Sequence, residues 1–184
     1  PGVMAKRMES ADLIIGVSDY ITQKIARRFP QFASRCVTVP NAAAVTPEND
    51  RSAEAPNSVL FVGRVSPEKG VHDLIRAFHE VLHRIPEARL HIAGGFGSAP
   101  LAWLVGLSDE PHVVALRRFY ERVGDGKQDP YRMALEKEAG PELGKRIIFE
   151  GRIDHSKTEK LYHRASLLVN PSLSESFGMT LVEA

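Results

Sequence analysis

Short, continuous apolar runs recur along this chain, separated by stretches whose apolar residues fall at helical spacing. DLIIGVS (12–18) is the first run, and its final Ser18 is placed to cap a helix. That helix is predicted over about 19–29, with Tyr20, Ile21, Ile25 and Phe29 on one side and Pro30 closing it. CVTVPN (36–41) reads as a second short strand stopped by Pro40. From 42 to 57 the apolar period disappears among turn formers, which predicts a linker between two domains.

A second unit starts at SVLFVGRV (58–65), apolar throughout like a strand covered on both faces. The loop SPEKG leads into an amphipathic helix, about 70–85, ended by Pro86. Further strands are predicted at RLHIAGG (89–95), RIIFEGRI (146–153) and SLLVNPS (166–172). A helix is expected at about 156–164 and another from Gly178. Strands alternating with helices predict an α/β fold, a parallel doubly wound Rossmann-like sheet joined by right-handed crossovers. Ligands of such sheets bind beyond the carboxyl ends of the strands. Each strand here runs into a loop bearing Gly, Arg or Glu: GRVSPEKG, GGFG, EGRID and NPSLSESFG. The segment 96–145 is too long for an ordinary crossover and carries two helical patterns, about 112–122 and 130–139.

Composition narrows the function classes. Apolar residues at 43% and charged residues at 26% describe a core-forming chain, and a net charge of +1 without a long basic run argues against a nucleic-acid partner. No stretch approaches the roughly 20 apolar residues that span a bilayer. Cys36, the sole cysteine, opens an apolar run and suits a structural role in a reducing compartment.

Three patterns compete as sites. HEVLH (79–83) matches the H-E-x-x-H zinc-protease signature. Its helix, however, turns Leu74, Ile75, Phe78, Val81, Leu82 and Ile85 to one face and leaves His72, Arg76, His79, Glu80 and His83 on the polar side. Pro86 and Arg89 replace the Gly and third His of the extended signature, so a solvated helix face is the better reading. GFGSAP (95–100) approaches a dinucleotide fingerprint but ends in Pro100, a weak signal. The third is a constellation. Arg64 and Lys69 flank a short loop after the first strand of the second unit, and ESFG precedes a helix whose free N–H groups favour anions. Two cations and a helix start suit a diphosphate, while Glu175 and Glu183 suit sugar hydroxyls. Taken singly, the same residues also fit loop surface charges and a helix-dipole partner.

In order, VGRVSPEKG, LHIAGG, IIFEGRI and SLLVNPSLSESFGMTLVEA resemble the nucleotide-sugar domain of family 4 glycosyltransferases of the GT-B fold, whose E-x7-E signature corresponds to Glu175 and Glu183. ADLIIGVSDYI and VTVPN are similar to the last strands of the family's N-terminal, acceptor-side domain. The resemblance implies domains at 1–41 and 58–184, a linker at 42–57, an insertion at about 97–129, and an internal fragment of a longer enzyme. It implies transfer of a sugar, with retention, from a nucleotide-diphosphate sugar to an acceptor hydroxyl of a sugar, glycan or lipid. Arg64, Lys69, Phe177 and Gly178 would hold the diphosphate, Glu183 the ribose, and Glu175 the transferred sugar. The backbone at Arg152 and Ile153 would face the base, and the catalytic set would be Glu175, Arg64 and Lys69.

No D-x-D triplet occurs, so neither metal nor other cofactor is expected. The expected location is the cytoplasm or the inner face of a membrane. Halves of the crevice lie outside this chain in the family pattern, so the chain alone is not expected to turn over. The rival readings are a GT-B phosphorylase or epimerase using the same crevice, although no lysine suited to a pyridoxal cofactor is identifiable, and a nucleotide-sugar-binding module without catalysis.

Overall fold

In the computed structural model, residues 2–43, 51–97, 110–120, 129–173 and 175–184 are described. They group into two units, 1–45 with 175–183, and 46–174 with Ala184. In the first, α1 (Gly2–Glu9) precedes β1 (Ile14–Gly16), α2 (Asp19–Arg28) and β2 (Cys36–Thr38). The two strands pair in parallel, Ile14 with Cys36 and Gly16 with Thr38. Ser18 starts α2 as expected: its Oγ accepts from the Ile21 N–H at 3.3 Å. A Cβ on Gly16 would overlap Thr22 Oγ1, so the strand-to-helix turn requires glycine there. Cys36 is the first residue of β2, and its thiol donates to the Phe32 carbonyl at 3.3 Å.

The second unit holds β3 (Ser58–Val62), α3 (Val71–Arg84), β4 (Arg89–Ala93), α4 (Pro111–Val114), α5 (Pro130–Ala139), β5 (Ile147–Gly151), α6 (His155–Arg164) and β6 (Leu167–Leu168). Its four strands are all parallel in the order β5-β4-β3-β6. The apolar runs of the sequence supply the buried residues of this sheet: Phe61, Leu90, Ile92 and Ile147 are buried to within about one hundredth of full coverage. Ile75 and Phe78 of α3 pack on them. Fully burying such a side chain contributes about 1.5–3 kcal/mol. Among the described residues no helix is long and apolar enough to cross a membrane.

Every strand is shorter than its predicted run, and β3 and β6 show why. β3 ends at Val62 because Gly63 turns to φ 152°, although Val65 still bridges to Phe96. β6 covers only two residues. After it, Asn170 Oδ1 accepts from the Ser172 N–H and hydroxyl at 3.2 and 2.6 Å, a local turn that competes with strand pairing. The predicted helix at 112–122 is α4 followed by a 3-10 turn, Ala115–Phe119. Parts of the expected linker (44–50) and insertion (98–109, 121–128), and the end of GFGSAP, lie outside the described residues.

One helical position departs from the polar-face reading. His72 is 5% exposed, not on the solvent side. The inserted segment and α5 cover the first turn of α3, setting the Phe119 ring tilted against the imidazole at 4.6 Å and Tyr131 edge-on at 5.8 Å. The Tyr131 hydroxyl accepts from the His72 N–H at 3.2 Å and lies 3.0 Å from Nδ1. With Nε2 protonated and facing Asp73 Oδ2 at 3.4 Å, the neutral ring is satisfied at both nitrogens. Burial lowers the pKa of His72, partly offset by Asp73. A depressed base favours the unfolded state once that state protonates. Stability is therefore expected to be complete above pH about 6.5, and to fall as pH drops below it toward the folded-state pKa. Thermal melts from pH 8 to 5 should show that decline, and His72→Asn should flatten it.

Candidate functional site

All four strands of the second unit present their carboxyl ends at one edge, because they run parallel. The strand order reverses direction between β3 and β6: β4 and β5 build out on one side of β3, and β6 lies on the other. Such a reversal leaves a crevice between the loops that follow the two strands. Here those loops are GRVSPEKG (63–70) and NPSL (170–173).

The first loop is a 3-10 turn, Pro67–Lys69, closed by Gly70 at φ 68°, which also opens α3. A Cβ on Gly70 would overlap the Pro171 carbonyl oxygen, so the loops after β3 and β6 touch backbone to backbone. The Leu173 N–H donates to the Glu68 carbonyl at 3.0 Å and ties them further. Arg64 reaches out from this loop, its side chain 53% exposed, with Nη2 donating to Glu68 Oε1 at 2.8 Å. Lys69 is half-buried on the same turn.

The loop after β4 forms the next wall. The Val65 N–H donates to the Gly95 carbonyl at 3.0 Å, and the Gly97 N–H to the Val65 carbonyl at 3.3 Å. A Cβ on Gly97 would sit 3.6 Å from Arg64 Cδ, so the aliphatic stem of Arg64 runs beside this backbone. A Cβ on Gly94 would overlap the Gly63 carbonyl oxygen. Gly94 of GGFG thus lets the two loops approach each other. Beyond β5, the Gly94 N–H donates to the Gly151 carbonyl at 2.8 Å, and Gly95 lies against Arg152. Arg152 is exposed and Ile153 half-buried. The structure therefore brings Arg64, Lys69, Arg152 and Ile153 to one edge of one sheet.

Glu175, Phe177, Gly178 and Glu183 belong to the segment that groups with the first unit, whereas the sequence pattern assigned them to the sheet domain. Within the first unit, the Ser18 hydroxyl donates to the Ser176 carbonyl at 2.8 Å. Gly178 is buried at φ 79° and opens α7 (Met179–Glu183), a helix of five residues ending at Glu183. Glu175 and Glu183 are both half-buried.

The histidines of HEVLH are engaged differently from metal ligands. His79 Nε2 donates to the Glu138 carbonyl at 2.9 Å, while His83 and Glu80 have side chains 76% and 82% exposed. Sequence reasoning overlooked Glu68, a carboxylate buried in the middle of the loop.

The sequence profile of the family described as "Glycosyl transferases group 1" matches residues 45–184. The chain belongs to this family. Among curated relatives of these glycosyltransferases, it is 29% identical over 134 residues to a glycogen synthase of Mycobacterium tuberculosis, covering 73% of this chain and 25% of that protein. It is 32% identical over 126 residues to a mannosylfructose-phosphate synthase of Agrobacterium fabrum, covering 68% and 22%. An S. aureus TarM variant superposes with a TM-score of 0.66 at 15% identity, over all of this chain and 30% of TarM. A glycosyltransferase of Rickettsia africae gives 0.62 at 16% identity, over all of this chain and 45% of its own. These likenesses assign the fold, an α/β architecture of GT-B type. The chain spans between about a fifth and just under half of these proteins' lengths.

Proposed function

We propose that this chain carries the nucleotide-sugar site of a retaining, metal-independent glycosyltransferase of the E-x7-E family. The observation that carries this reading is the placement of Arg64 and Lys69 on the loop at the strand-order reversal, locked to the loop after β6. The donor is a nucleoside-diphosphate sugar, consistent with structural neighbours crystallised with UDP and sugars. As the bond from the anomeric carbon to the diphosphate breaks, negative charge grows on the leaving phosphate. Arg64 and Lys69, with the amides of Phe177 and Gly178, stabilise that charge by fixed dipoles and cations. Glu183 accepts from the ribose hydroxyls and Glu175 from the transferred sugar, and the backbone near Arg152 and Ile153 meets the base. The acceptor is a sugar, glycan or lipid hydroxyl, and the enzyme works in a reducing, cytoplasmic compartment or at the adjoining membrane face.

A donor-hydrolysis screen of nucleotide sugars, run on the complete reading frame containing this chain, tests the reading. One donor should be hydrolysed, and Lys69→Ala and Glu183→Ala should both suppress that hydrolysis. Equal rates in all three proteins would sink the site assignment. Because the charge on the leaving group is met by side chains and amides, dialysis against EDTA should leave the rate unchanged. A loss restored by added Mg2+ or Mn2+ would refute metal independence.

A further inference from the structure

Glu68 is the one acidic side chain of the Arg64–Gly70 loop, and it faces inward. Its side chain is 9% exposed while its partner Arg64 remains 53% exposed. The segment 110–120 covers it: the 3-10 turn Ala115–Phe119 packs on the turn Pro67–Lys69. Glu68 Oε1 takes the hydrogen bond from Arg64 Nη2 at 2.8 Å, and Oε2 is buried without a hydrogen-bond partner. Buried in the same way is the hydroxyl of Tyr120, at the end of that inserted turn. The Tyr120 phenol is pushed up first by burial and then by the charge of Glu68, so the inserted segment and the loop carboxylate sense each other.

An ion pair serving stability alone gains by having both oxygens satisfied, since an unsatisfied buried acceptor costs free energy. This pair instead buries the acid and leaves the base reaching out. Guanidinium offers five N–H donors in a rigid fork. Here one Nη2 donor is taken by Glu68, Nε points to Ser66 Oγ at 3.4 Å, and the stem lies beside Gly97. Two hydrogen bonds on the inner edge fix the plane of the fork and leave Nη1 at its outer edge.

We propose that Glu68, shielded by the inserted segment, is a positioning residue that holds Arg64 by its inner edge so that the outer edge meets the donor's diphosphate. The proposal rests on the reading of Arg64 as a diphosphate ligand. Removing the carboxylate frees the fork to rotate, and the contact with phosphate must then be formed from a disordered side chain, at an entropic cost borne by binding.

The test is a double-mutant cycle on the complete protein, with UDP and GDP as calorimetric probes and thermal melting as the control. Whichever of the two binds wild type more tightly is carried through the cycle. Glu68→Gln keeps the shape and one acceptor but removes the charge. It is expected to weaken nucleoside-diphosphate binding about tenfold. In an Arg64→Ala background, Glu68→Gln should change binding less than twofold, because there is no fork left to orient. Glu68→Asp, which keeps the charge but shortens its reach, should fall between wild type and Glu68→Gln, and it decides the matter if Glu68→Gln fails to fold. Binding unaffected by the Glu68 variants, or a loss of equal size with and without Arg64, would overturn the positioning role. A wild type that binds neither nucleotide, or an Arg64→Ala variant that binds as wild type does, would instead remove the underlying reading.

Discussion

Replacing Lys69 by alanine in the complete protein is expected to lower kcat/KM for the donor by a factor of roughly 10–150. The size follows from a charge-assisted hydrogen bond to phosphate of about 1.5–3 kcal/mol, made in full only as charge develops on the leaving group. Arg64→Ala should lose at least as much activity but is the poorer probe. It also strips the buried Glu68 of its 2.8 Å partner, so part of its effect is structural. Lys69 is half-buried on the same turn, and its backbone N–H, which the substitution keeps, donates to the Ser66 carbonyl at 3.0 Å. Steady-state kinetics at several donor concentrations would separate a loss of binding from a loss of turnover. A Lys69→Ala enzyme with unchanged kcat/KM would show that this turn does not meet the donor.

Gly70→Ala is expected to damage both the fold and the site. Gly70 has φ 68°, and a Cβ there would overlap the Pro171 carbonyl oxygen. Holding a non-glycine residue in that conformation costs about 1–3 kcal/mol even without the overlap. The overlap then pushes apart the loops after β3 and β6, whose spacing defines the crevice. A displacement of that kind should cut kcat/KM for the donor by about tenfold to a hundredfold. Gly144→Ala provides the control. Gly144 has a similar φ of 74° but nothing within 4 Å of its would-be Cβ. It should therefore lose some stability to denaturant and keep its activity. Matching kinetic losses in the two variants would show that the loop contact does not matter to the site.

Much of the second unit was legible in the sequence because its central strands, β3 and β4, bury adjacent residues on both faces, and such strands read as unbroken apolar runs. Phe61 lies in the first of those runs, Leu90 and Ile92 in the second and Ile147 in the third, and all four are buried. The order β5-β4-β3-β6 was not legible, since pairing is decided by contacts far apart in the chain. Strand ends were overrun where turn chemistry competes with pairing, as Asn170 does after β6. Helix α1 escaped notice because GVMAKRME carries no apolar stripe, and Met4 is 60% exposed.

Within the site, Arg64 and Lys69 stood out because two cations closely follow a strand end. Glu68 did not, because a glutamate between them looks like an ordinary exposed loop charge. Ala115–Phe119 packs on its turn from far along the chain, and nothing local announces that contact. Phe119 of that segment and Tyr131 of α5 explain why His72 was read as solvent-facing: the periodicity of α3 is blind to what other segments lay over its first turn.

The most direct measurement is a crystal structure of the complete protein with a nucleoside diphosphate bound. The account predicts the two phosphates at the β3–β6 reversal, in hydrogen-bond reach of Arg64 and Lys69, with the ribose hydroxyls on Glu183. A nucleotide bound with its phosphates away from both cations would contradict it.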